Sequence, residues 1–165
     1  EISACLVGSE MCIRDRTCVF LMCRKCQGET MENALRSLGF SYSANPSKVP
    51  PQERREQLPR EAAPYSDLMI FANEDPAHED PMKVCRELAE HVPDDTPNKI
   101  ILDREAAVHA AFKAAREEYV NPDAPTIVLL LAKGDEELMH VGDEFVPIES
   151  DLSLANRLID VTQFD

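Results

Sequence analysis

Three short stretches hold the residues suited to chemistry, and each directly follows an apolar run. "NEDPAHEDP" (Asn73 to Pro81) follows "DLMIFA", Asp103-Arg104 follows "KIIL", and "KGDEE" (Lys133 to Glu137) follows "TIVLLLA". Short apolar runs alternating with helical patterns read as strands, the unbroken "TIVLLLA" as a central one covered on both sides. The carboxyl ends of parallel strands gather at one edge of an open α/β sheet, where ligands bind. At least five acidic groups then meet there, with Lys133 and Arg104 among them. The chemistry suited to such an edge is recognition of a cation, with carboxylates gripping the ammonium of a small amino acid through charge-assisted hydrogen bonds. Gly134 lets the backbone turn sharply inside the third stretch.

Plainer roles stand beside that one. Asp80 and Asp103 each precede a helical pattern and read as N-caps, each stabilising by about 1 kcal/mol. Glu79 and Glu137 read as solvated, and Lys133 either touches a ligand or offsets the carboxylates around it. Glu74, Asp75 and Glu136 occupy strand exits and not helix faces. His78, His91, His109 and His140 are scattered without metal-ligand spacing. No G-x-x-x-x-G-K-[ST] stretch occurs, so the sequence contains no phosphate-binding loop of its own.

The elements that position these groups follow from periodicity. Leu68 and its neighbours in "DLMIFA", "KIIL" at Lys99 to Leu102, and "TIVLLLA" at Thr126 to Ala132 are the strands. A helix from Pro81 to Val92 buries Met82, Cys85, Leu88, Ala89 and Val92, with Pro81 at the first helical position. A second, behind Asp103, aligns Val108, Phe112, Ala115 and Tyr119. "MHVGDEFVPI" reads as a hairpin turning on Gly142-Asp143, and "SDLSLANRLI" as a closing helix. Upstream, "TCVFLM" is a short apolar run and "ETMENALRSLG" a helix ending at Gly39. Residues 41 to 53 read as a proline-rich loop, and "ERREQLPREAAPYSD" as partly helical, limited by Pro59 and Pro64. Strands alternating with helices predict an α/β fold: a Rossmann-like, mostly parallel sheet with helices on both faces and a C-terminal β-hairpin.

With 165 residues, the chain suits one domain with a single core. Its formal net charge of −14 argues against nucleic acid or an anionic membrane face, since both reward positive charge. No apolar run approaches a membrane span of roughly 20 residues and no cationic stretch leads into a signal core, so a cytosolic protein is expected. Five of the six cysteines precede Gln27. Leu6 to Arg16, "LVGSEMCIRDR", back-translates in one frame to a string that resembles the transposase adapter used to build sequencing libraries. Residues 1–16 are therefore read as a translated adapter and set outside the domain, which is taken as 17–165. Cys23 and Cys26 keep the CxxC spacing of a zinc half-site or redox motif. A zinc site needs four ligands, however, and no second pair follows.

The order "YSDLMIFANEDPAHEDPMKVCRELAEHV", "KIILDREAAVHAAFKAA", "TIVLLLAKGDEELMHVGDEFVPIESD" resembles the C-terminal domain of the Mur ligases, nearest to the members that add the third residue to UDP-MurNAc-L-Ala-D-Glu. The family pattern runs approximately SD-x-x-x-x-T-x-DNP, an acidic-Pro pair, D-R-x-x-A-I, and a K-G-x-E loop with a short hairpin. The likeness covers about Tyr65 to Ile159. By position, Glu74-Asp75-Pro76-Ala77 matches the element that contacts the incoming amino acid, and Lys133-Gly134-Asp135-Glu136 matches the K-G-x-E loop. The resemblance thus implies Glu74, Asp75, Ala77, Lys133, Asp135 and Glu136 as substrate-binding residues. Diaminopimelate-adding members carry arginine at the position of Ala77, able to pair bidentately with the distal carboxylate. Alanine there and an acid at position 74 point to lysine, with ornithine second. Glu74 and Asp75 replace the usual Asp-Asn. The proline-rich loop stands where the family has another strand and a basic, glycine-rich segment, leaving Arg54 and Arg55 as weak candidates for nucleotide binding.

The resemblance further implies ATP-dependent amide formation with Mg2+. The D-Glu side-chain carboxylate of the UDP-MurNAc-dipeptide is phosphorylated and then attacked by the amino group of the amino acid. The groups for phosphoryl transfer belong to a central domain missing from this sequence, so the implied role of the fragment is to orient the nucleophile, with no catalytic residue, bound cofactor or ligase activity of its own. Competing readings are a non-catalytic α/β binding module, another amide ligase of the same superfamily, and a zinc or redox module built on Cys23 and Cys26.

Overall fold

The computed structural model describes residues 2–7, 19–23, 51–117, 126–131 and 133–160. In chain order the elements are β1 (Ile2–Val7), β2 (Val19–Cys23), α1 (Pro51–Ala62), β3 (Leu68–Phe71), α2 (Pro81–Ala89), β4 (Asn98–Ile100), α3 (Arg104–Glu117), β5 (Thr126–Leu131), β6 (Leu138–Val141), β7 (Glu144–Pro147) and α4 (Asp151–Asp160). The helix read at "ETMENALRSLG", Cys26 of the CxxC pair and Tyr119 lie outside the described residues.

A five-stranded sheet has the order β1-β5-β2-β3-β4. β1 runs parallel to β5 and β3 parallel to β4, while β2 is antiparallel to both β5 and β3, with Phe20 opposite Leu130 on one side and Ile70 on the other. The sheet is therefore mixed, which corrects the mostly parallel expectation. An apolar run such as "TCVFLM" has the same pattern in either direction, so its reversal is not written locally. Two successive reversals cancel: β3, β4 and β5 all run the same way, and their carboxyl ends reach one rim.

Side chains alternate across β3 as the pleat requires. Met69 and Phe71, with Leu129 of β5, pack against Leu58 of α1 and Val84, Cys85 and Leu88 of α2. Leu68, Ile70 and Ala72, with Val128 and Leu130, pack against Val108, Ala111 and Phe112 of α3 and Leu154 and Leu158 of α4. Helices thus cover both faces. The antiparallel β6–β7 pair stands apart as its own two-stranded sheet, turning on Gly142-Asp143 with Gly142 at φ 61.

Three boundaries differ from the sequence reading. α1 starts at Pro51, inside the stretch read as loop, because proline's fixed φ suits a first helical turn, and it continues through Pro59. The bond that Pro59 forfeits is offset by packing of Leu58 and Ala62 against Met69 and Phe71 of the sheet. α2 ends at Ala89, although Val92 stays in the core. β4 ends at Ile100, yet Ile101 N–H still donates to Phe71 O (2.9 Å) and Asn73 N–H to Leu102 O (3.1 Å), carrying the pairing past the strand toward the rim. Ile2–Val7, within the segment read as adapter, supplies an edge strand; an unpaired edge accepts any compatible apolar run.

Cys85 reports on this packing. Its sulfur donates to Ala72 O at 3.6 Å, and burial, with Asp80's charge second, pushes the thiol up to about 11. The thiolate is scarce at mildly alkaline pH. Mass-spectrometric mapping after iodoacetamide treatment is expected to find Cys85 unmodified until denaturant is added. Labelling of Cys85 in native protein at the rate of a free thiol would contradict the fold.

Candidate functional site: an acidic cleft at the strand exits

The exit of β3 is built under conformational tension. Asp75 and Ala77 both sit at positive φ (34 and 46), a region that non-glycine residues adopt only when their surroundings hold them there. Hydrogen bonds supply the hold. Ala77 N–H donates to His140 O (3.0 Å), Gly142 N–H donates to Ala77 O (2.7 Å), and His140 N–H donates to Asp75 Oδ1 (2.8 Å). The turn after β3 is thereby laced along β6, so the hairpin and the β3 exit form one unit.

Lys133, leaving β5, joins that unit. Its ammonium donates to Asp75 Oδ1 at 3.0 Å and to Glu136 Oε2 at 2.5 Å, and its side chain is 1% exposed. Burial pulls the ammonium down, but the bonds to Glu136 and Asp75 outweigh it, and the net shift is upward. Gly134 at φ 49 closes the turn that returns Glu136 N–H to Lys133 O (2.8 Å). Asp75 and Glu136, from exits of different strands, are held beside each other by one charge.

A second cation braces the rim from beneath. Arg104 at the start of α3 grips Asp151, at the start of α4, through Nε to Oδ1 (2.7 Å) and Nη2 to Oδ2 (2.5 Å), and also reaches Leu131 O (3.0 Å). Arg104 is 6% exposed and Asp151 is fully buried. This bidentate pair ties two helix starts to the end of β5. Asp80 and Asp103 cap their helices as read, accepting from Met82 N–H (3.0 Å) and Ala106 N–H (2.7 Å).

Beside the Lys133 pair opens a cleft of about 430 Å3 lined by Asp75, Asp135, Glu136, Glu137, Leu138 and Phe145. Of the six residues implied as substrate-binding, Asp75, Asp135 and Glu136 line it. Lys133 lies under the cleft, committed to two carboxylates. Glu74 is buried on the α2 side, lining a small separate pocket with Pro76, Val84 and Cys85. Ala77 is 6% exposed and contributes its backbone to β6. Arg55 is buried and donates to Glu79 (2.7 Å) and Glu87 (2.6 Å), so Glu79 is not simply solvated. The Arg54 side chain lies outside the described residues.

Among the described residues, no group of three or more His, Cys, Asp or Glu is arranged to hold a metal ion, and no helix is long and apolar enough to cross a membrane. The cations near the rim suit a triphosphate poorly: Lys133 and Arg55 are each bonded to two carboxylates, and Arg104 is clamped on Asp151. Among the described residues, these cations are not placed to hold ATP.

Known proteins bear on what the cleft serves. The chain is 28% identical over 106 residues to the UDP-N-acetylmuramoyl-L-alanyl-D-glutamate--L-lysine ligase of Enterococcus faecalis, a match covering 64% of this chain and 20% of that one. It is 34% identical over 110 residues to the UDP-N-acetylmuramyl-tripeptide synthetase of Treponema denticola, covering 65% and 19%. Over 106 to 110 residues the chain is similar to Mur ligases. The UDP-N-acetylmuramoyl-L-alanyl-D-glutamate--2,6-diaminopimelate ligase of Alkaliphilus oremlandii is 31% identical over 81 residues, covering 48% and 15%. No protein-family model matches the chain. The chain spans about a fifth of the length of the curated ligases it matches.

Sequence reasoning missed Asp151, Leu138 and Phe145. Asp151 looked like any acidic residue opening a helix, and its pairing with Arg104 is tertiary. Phe145 was within reach: counting outward from the Gly142-Asp143 turn sets it opposite His140, on the side that carries Leu138.

The site predicts how Lys133→Met behaves. Removing one partner of a buried pair costs about 3–5 kcal/mol. Asp75 and Glu136 are 32% and 34% exposed, so water screens them, and a loss of roughly 2–3 kcal/mol in urea unfolding is expected. Because the folded-state pKa of Lys133 is raised, its contribution is complete below the ordinary value of 10.5 and is lost as pH climbs through the higher folded value. The wild-type advantage should hold across neutral and mildly alkaline pH and shrink only above that. An advantage absent at neutral pH would contradict the arrangement.

Proposed function

We propose that this chain is the amino-acid-recognising part of an ATP-dependent amide ligase that adds a diamino acid, L-lysine, to UDP-MurNAc-L-Ala-D-Glu. It orients the nucleophile, while ATP, Mg2+ and the nucleotide dipeptide are handled by ligase domains beyond residues 17–165, the span assigned to this domain. The observation that carries this reading is the cleft in which Lys133 fixes carboxylates from two strand exits, set on a chain whose relatives are named as lysine, diaminopimelate and tripeptide ligases.

The cleft's chemistry favours lysine over diaminopimelate. Its lining contains four acids and no base. A side-chain ammonium gains charge-assisted bonds there, whereas a distal carboxylate meets like charge. Ala77, where the diaminopimelate-adding pattern has arginine, is buried and brings no cation. The same lining has nothing to pair with an α-carboxylate, so the side chain enters first and the α-amino and α-carboxylate groups face outward. Holding the amino acid this way contributes to rate by fixing the approach of its amino group, a proximity effect.

The test is an NMR titration of the chain with L-lysine, meso-diaminopimelate and norleucine. L-lysine is expected to shift amides of residues 75 and 135–138, with much weaker responses to the other two. Equal responses to diaminopimelate, or none to lysine, would overturn the assignment. With ATP, lysine and the nucleotide dipeptide, the chain alone is expected to release no phosphate above blank.

A further inference from the structure

The cleft has one wall that neither the carboxylates nor the lysine-adding reading accounts for. On a chain with a net charge of −14, four of the five large exposed apolar side chains among the described residues lie on the hairpin: Leu138, Val141, Phe145 and Val146, with Phe145 at 65% exposure and Leu152 of α4 as the fifth. Leaving a phenyl ring that open forfeits burial that a core position would provide. Its orientation is nevertheless fixed. His140 and Phe145 are directly opposite in the β6–β7 register, and their rings stack with centroids 4.7 Å apart and planes 14° from parallel. His140 is in turn anchored through its backbone, donating to Asp75 and accepting from Ala77. Leu138, two residues from His140 on the same side of the strand, lines the cleft with Phe145.

We infer that Phe145, propped by His140 and flanked by Leu138, is a specificity-determining residue of the cleft: an aromatic platform on which the methylene chain and ammonium of a lysine-like side chain lie, opposite Asp75 and Glu136. One ring face is taken by His140, and the other is available to a ligand. An alkylammonium fits both halves of such a wall. Its methylenes cover apolar surface as they leave water, and its positive end is attracted to the ring quadrupole while bonded to the carboxylates. Charge alone selects any cation; the platform adds selection for one carried on an alkyl chain. This rests on the reading of the cleft as the amino-acid site.

The test compares L-lysine binding by the whole chain, by NMR titration, among wild type, Phe145→Ala, Phe145→Leu and Glu136→Gln. Phe145 is largely exposed, so both of its variants are expected to fold, which their amide spectra check. Loss of the ring should raise the lysine Kd roughly 5- to 10-fold in Phe145→Ala. Phe145→Leu, which keeps apolar contact and loses the quadrupole, should fall between. Unchanged lysine affinity in Phe145→Ala, beside a loss in Glu136→Gln, would overturn the platform and leave the acidic site standing. Equal affinities for Phe145→Leu and wild type would overturn the cation–ring contribution. Absence of lysine binding by wild type would remove the amino-acid reading and this inference with it.

Discussion

One ammonium, 1% exposed and bonded to carboxylates from two strand exits, is the interaction on which the site depends. Without a cation between them, Asp75 and Glu136 would repel; Arg104 also links the two strand exits, but only through the backbone carbonyls of Asn73 and Leu131. Lys133 uses only one oxygen of each carboxylate. Both can therefore be fixed in place and still accept hydrogen bonds from a ligand, which a cation gripping them bidentately would prevent. Burial alone would favour the neutral amine, yet the two carboxylates reverse that preference and keep the charge.

That interaction presupposes a frame. β3, β4 and β5 must share a direction, and they do so across the antiparallel β2 between β3 and β5. The buried Arg104–Asp151 pair then fixes the starts of α3 and α4 against the end of β5. The hairpin is held from the other side, through Ala77, His140 and Gly142. The positive φ at Asp75 and Ala77 is sustained by those bonds, and the same geometry turns the Asp75 carboxylate toward Lys133. Backbone strain and site chemistry share one cause here, and both weaken if the hairpin detaches.

Much of this was legible in the residues, for identifiable reasons. Asp80 ahead of Pro81 and Asp103 ahead of a periodic helix carry local cap signals, and local signals survive folding. Uniformly apolar "TIVLLLA" and the Gly142-Asp143 turn are likewise decided within a few residues. What stayed hidden was relational. The direction of β2, the partner of Arg104 and the burial of Glu74 depend on distant segments and leave no local mark. Lys133 shows the boundary well: its type and neighbours allow either ligand contact or charge compensation, and only the fold places it beneath the cleft between two carboxylates. Comparison with known ligases supports the family while leaving the amino acid open, since relatives named for lysine and for diaminopimelate both match.

The most direct test of the account is NMR observation of the side-chain ammonium groups at neutral pH, with Lys83 and Lys113 as internal references because they are 72% and 69% exposed. A buried, doubly bonded Lys133 should give a distinct ammonium signal that exchanges with water far more slowly than theirs, and Asp75→Asn should speed that exchange. A Lys133 ammonium that exchanges as fast as Lys83 and Lys113 would contradict the shared charge at the strand exits, and with it the site built around it.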